Sequence, residues 1–138
     1  MILSIAVPGT PIPQGSKRVV RGHLIDANAK TLRPWRASIA SAAADAMHAG
    51  GHDTVTVPVS VTIYATFPRP KAHYRSNGEL KPTAPNRHAT RPDIDKVARA
   101  VLDALTDAGV WRDDAQVAGL TVRKSYGHRP GLVIEVAG

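Results

Sequence analysis

The chain has 138 residues and a formal charge of +7, so it suits one domain around one hydrophobic core. It has no cysteine, which excludes disulfides, thiolate zinc sites and cysteine nucleophiles and makes an intracellular, cytoplasmic setting the default. No apolar run approaches the roughly 20 residues a membrane span needs, and residues 2–7 are too short for a signal segment.

In chain order, Ile2–Val7 reads as a short strand. The segment Pro8-Gly-Thr-Pro-Ile-Pro-Gln-Gly15 breaks regular structure, because its prolines withhold backbone donors and fix turns. Val19–Ile25 is a weaker strand. Leu32 to His48 is helical, with Pro34 in its first turn, an apolar face of Ile39, Ala42, Ala43 and Met47, and a stop at Gly50-Gly51. From Val57 to Phe67, apolar and polar residues alternate strictly, the period of a half-buried strand. Pro68–Pro92 carries five prolines without apolar periodicity, and a connector of that length is functional or disordered. Asp93 caps the next helix, whose stripe is Ile94, Val97, Ala98, Val101, Leu102 and Leu105, with Gly109 as the stop. Strands at 118–123 and Leu132–Val136 finish the chain. The expectation is an α+β fold: one domain over 1–138, order β-β-α-β-loop-α-β-β, with two main helices on a mixed sheet of about five strands.

Charge is placed unevenly. Residues 1–40 hold six Lys/Arg against Asp26, and residues 68–92 hold six more against Glu79. Six of the eleven acidic residues instead fall between Asp93 and Asp114. The basic segments suit a polyanion. Carboxylates within them repel phosphates unless a divalent cation intervenes, a pattern that points to a metal-dependent enzyme acting on nucleic acid. At the helix start, Asp93 and Asp95 meet free N–H groups and a favourable dipole, so both stay ionised. Asp114 reaches Asp95 if the segment after Gly109 runs back along the helix by about 15–20 Å. Three carboxylates form a hard, oxygen-only site that favours Mg²⁺ or Mn²⁺ over zinc. Asp103 and Asp107 read as surface charges, Asp103 paired with Arg99. Trp111 reads as packing, and His73 and His88 as phosphate-side or solvent residues.

Pro92-Asp-Ile-Asp95, the helix after it, Gly109-Val-Trp-Arg-Asp-Asp-Ala-Gln-Val117, the Pro-rich opening followed by Lys17-Arg18, and Lys124 together resemble the RusA-type Holliday-junction resolvase family. The resemblance covers nearly the whole chain. It implies a small homodimeric endonuclease that nicks four-way DNA junctions symmetrically with Mg²⁺ or Mn²⁺, without a small-molecule cofactor or a membrane. It places the metal ligands on Asp93, Asp95 and Asp114, with Arg99 and Lys124 as further catalytic candidates. Two positions depart from the family. Lys96 stands where the family usually has Asn, and Arg99 where it has a lysine. Arginine keeps the charge and can clamp a phosphate, yet it does not exchange a proton near neutral pH. The DNA backbone would be tracked by Lys17, Arg18, Arg21, Arg69, Lys71, Arg75, Lys81, Arg87, Arg91 and Lys96. The alternatives are a nuclease on other branched DNA, a non-catalytic DNA-binding module, or a basic RNA-binding protein. An Arg-rich, Ala-rich composition suits a bacterium or its phage.

Overall fold

The computed structural model describes residues 1–15, 17–26 and 28–138. Six strands and two long helices follow in the order β1 (Leu3–Pro8), β2 (Lys17–Val20), β3 (His23–Asp26), α1 (Ala29–Ala49), β4 (Val59–Phe67), α2 (Ile94–Asp107), β5 (Val117–Tyr126) and β6 (Gly131–Ala137). Short 3-10 turns lie at Lys71–His73 and Asp114–Gln116. The α+β class holds. The sheet has four strands, ordered β1-β6-β4-β5, and β2 and β3 form a separate hairpin. Expected as one strand, that stretch folds back at Arg21-Gly22, where both residues take positive φ (50° and 77°), the backbone of a tight hairpin turn.

Alternation decides which face of the sheet is covered. Val59, Val61, Ile63, Ala65 and Phe67 of β4 are buried, as are Leu3, Ile5 and Val7 of β1 and Leu132, Ile134 and Val136 of β6. Their neighbours Tyr64 and Val133 stay exposed, so the helices cover one face only. Helix α1 contributes Leu32, Trp35, Ile39, Ala43 and Met47, spaced three and four residues apart. It begins three residues earlier than the periodicity indicated, which moves Pro34 from the first turn into the second. Helix α2 buries Val97, Ala98, Ala100, Val101, Ala104 and Leu105. Ile94, expected in that stripe, is exposed because the first turn projects beyond the sheet.

Strands β4 and β5 pair in parallel, and α2 is the crossover between them. That connection decides the site. A strand after a crossover helix runs antiparallel to that helix, so β5 carries its last residues back to the beginning of α2.

Candidate active site

Asp93 occupies the N-cap of α2 in extended conformation, and its carbonyl accepts from the N–H groups of Lys96 and Val97. Its carboxylate makes no capping bond, so it stays available beside the positive end of the helix. Asp95 lies in the first turn and is exposed. Opposite them, Lys124 of β5 pairs in register with Ala65 and points to the helix-covered side of the sheet. Its ammonium donates to the carbonyls of Thr90 and Pro92, both at 2.8 Å. Asp93, Asp95, Lys124 and His88 thereby line one shallow hollow. Two carboxylates with a cation alongside form a site for a phosphodiester held through a hard cation, since Mg²⁺ commonly takes one or two carboxylates plus water and phosphate oxygens.

Lys96 turns toward Asp93, its ammonium 3.6 Å from Oδ2. Its stem lies over Gly15, where an added Cβ would come within 2.6 Å of Lys96 Cδ. The glycine of the Pro-rich opening is therefore required for this side chain to lie flat. Gln14 beside it docks the opening on α2. Its N–H donates to the carbonyl of Lys96 and its side-chain amide to Asp103.

Asp114 is placed elsewhere. A hydrogen bond with Asp113 and partial desolvation hold its carboxyl above the usual range, and the charges of Asp113 and Asp103 add to the shift. Among the described residues no three acidic or imidazole side chains converge to hold an ion. The segment after α2 turns back beside the helix, with Trp111 bridged in parallel to Val55 and Asp114 near Asp103. Gly109, at φ 75°, closes the helix end, with Val110 N–H donating to the Leu105 carbonyl. Trp111 then enters the core with its indole N–H on Thr106 Oγ1 at 2.8 Å. Asp113 caps the following turn in a reciprocal box with Gln116, whose amide donates to the Val55 carbonyl. This local lock holds Asp114 beside Asp113 and near Asp103, while Asp93 and Asp95 line the hollow together.

The family described as "Endodeoxyribonuclease RusA" matches residues 8–137. The chain belongs to the RusA family. It is also 29% identical over 141 residues to the uncharacterized protein YqaN of Bacillus subtilis strain 168, covering 97% of this chain and 94% of that protein. Membership in a family of endodeoxyribonucleases fits the pairing of carboxylates with a basic surface.

The other expected site residues of this RusA-family chain lie in several parts of the structure. Arg69, Arg91 and Lys96 line a deeper adjoining concavity. Lys71, Arg75, Lys81 and Arg87 are exposed along the 68–92 loop, and Arg21 is exposed at the hairpin turn. The side chains of Lys17 and Arg18 lie outside the described residues. Arg99 is exposed on α2. Asp103 bonds Gln14 rather than Arg99, and Asp107 ties α2 to α1 through Arg36 at 2.6 Å. Both acids thus join elements instead of standing as lone surface charges.

His88, expected at a phosphate or in solvent, is not a solvent residue. It is only 8% exposed, packed on Phe67 and Tyr126. Burial and the charge of Lys124 hold its pKa below the ordinary histidine value. No periodicity marks a loop histidine as buried, so sequence carried no signal for it. Tyr126 did have one: it continues the two-residue alternation through Val122 and Lys124 along β5.

Proposed function

We propose that the protein is a divalent-metal-dependent endodeoxyribonuclease that nicks four-way DNA junctions as a homodimer, in recombination and repair within the cytoplasm. One observation carries the reading: in a RusA-family chain, the parallel crossover sets Lys124 beside Asp93 and Asp95. Asp93 and Asp95 would hold Mg²⁺ or Mn²⁺, which when bound supplies an activated water and neutralises charge on the phosphate.

The chain's own side chains do the remainder. Lys124 fixes the backbone leading into Asp93 by its two carbonyl contacts and leaves a positive charge at the hollow. Arg99, one turn beyond Asp95 and exposed, is free to meet a non-bridging phosphate oxygen. Lys71, Arg75, Lys81 and Arg87 give affinity for the backbone with little base readout. A two-fold dimer matches the two-fold symmetry of a four-way junction. Leu120 and Ile94, apolar yet 47% and 43% exposed, offer surface for a second copy to cover.

The test is incubation with a synthetic four-way junction, a matched duplex and a flap, with and without Mg²⁺. Paired symmetric nicks in the junction alone, dependent on the ion, are expected. Asp93→Asn and Asp95→Asn should bind the junction and leave it uncut. Preferential cutting of the flap would reassign the substrate, and equal cutting of matched duplex would refute branch selectivity.

A further inference from the structure

A concavity of about 730 Å³ opens at the carboxyl ends of the two parallel strands. Ligand sites favour this position because the chain leaves the sheet there in loops. Phe67 and Tyr126 end β4 and β5 as register partners. The His88 ring packs against both, with centroids 4.3 Å from Phe67 and 4.8 Å from Tyr126. His73 meets Tyr126 edge-on at 5.1 Å, and the Arg69 guanidinium lies over the same ring at 4.8 Å. Arg69 is itself fixed by donating to the Pro85 carbonyl at 2.7 Å. The facing wall comes from the Pro-rich opening, which Gln14 anchors to α2.

Two observations say that this is a binding site rather than a packing defect. His88 is more than nine-tenths buried and stands among the lining residues, yet among the described residues its Nδ1 has no hydrogen-bond partner. A buried polar nitrogen without a partner is costly unless a ligand supplies one. The walls are also mostly flat rings and prolines, while the cations Arg91 and Lys96 stand among the lining residues.

We propose that this concavity takes up one unpaired nucleobase of bound DNA, stacked on the aromatic wall and hydrogen-bonded at its edge by His88 Nδ1. The inference rests on the DNA-directed reading above. A base needs an apolar surface for its faces, a donor or acceptor for its edge, and cations for the phosphates on either side. Here these are the Tyr126 wall with the planar Arg69 guanidinium over it, His88, and Arg91 with Lys96. A phosphate does not fit as well. An anion would favour a charged imidazole, whereas burial and Lys124 keep His88 neutral. The volume falls within the roughly 300–1,000 Å³ of small-molecule sites. His88 also lines the hollow of Asp93 and Asp95, so a captured base would hold its own strand at the carboxylates.

The experiment compares metal-free binding of two oligonucleotides with identical backbones, one wholly abasic and one carrying a single thymine. The parent protein should bind the thymine strand roughly 5-fold or more tightly, the range of one base–aromatic stack. In Tyr126→Leu that ratio should fall toward one. In His88→Phe, which keeps a ring and removes the nitrogen, any preference among single thymine, cytosine, adenine and guanine should flatten. Equal affinity of the parent for both strands, or binding to neither, overturns the proposal, and this comparison stands even if a variant fails to fold. A ratio unchanged in folded Tyr126→Leu also overturns it. Junction nicking is scored in a separate reaction with Mg²⁺ and bears on the endonuclease reading alone.

Discussion

Lys124→Met tests how the hollow is held together. The ammonium donates 2.8 Å bonds to the carbonyls of Thr90 and Pro92, and methionine keeps the stem while removing both. A hydrogen bond to a charged donor contributes about 1.5–3 kcal/mol where it is protected from water. The Pro92 bond is partly buried and the Thr90 bond is exposed, so solvent replaces much of the second. The net loss should be about 2 kcal/mol, which for a domain of this size lowers the melting temperature by roughly 6–10 °C. Thermal unfolding followed by circular dichroism measures it. Junction cleavage at a temperature where the variant is fully folded should fall as well, because residues 90–92 lead directly into Asp93. A melting temperature within about 1 °C of the parent would refute the tether. A variant of parental stability that no longer cuts would assign the amine to the DNA instead.

Replacing Lys71, Arg75 and Lys81 with Gln should flatten the salt dependence of junction binding by about 0.9 in log–log slope for each phosphate no longer neutralised, and an unchanged slope would show that the loop does not touch DNA. Arg99→Lys should keep most cleavage and Arg99→Ala should lose it with binding retained, measured as single-turnover rates on a saturated junction. Asp114 is less readily ionised in the folded chain than in the unfolded one, so its charge opposes folding above the ordinary carboxylate range. Asp114→Asn should therefore raise the melting temperature slightly at pH 7, with the gain vanishing as pH falls below that range; a loss at pH 7 would contradict the placement. His88 shifts the other way for a base. The folded chain keeps it neutral while the unfolded chain takes up a proton, so stability is full above the ordinary histidine range and declines as pH falls through it. His88→Phe should shrink that acid-side decline in melting curves taken from pH 8 to pH 5.

Much that depends on neighbours along the chain was legible in the sequence, although the Arg21-Gly22 turn was not. Two-residue alternation placed β4 and its buried face, the three- and four-residue spacing placed α2, and Gly109 ended it. Clustered aspartates in a basic chain marked the beginning of α2 as the place for chemistry. Sequence did not show where the segment after Gly109 goes. Trp111 is buried in the core, and Asp114 stands with Asp113 and Asp103. The return journey is made by β5, and only the parallel pairing with β4 reveals that Lys124 then meets Thr90 and Pro92. The same pairing buries His88 between Phe67 and Tyr126, 21 and 38 residues away along the chain. Contacts at such separation leave no local period in the sequence, because they arise from packing one whole element on another.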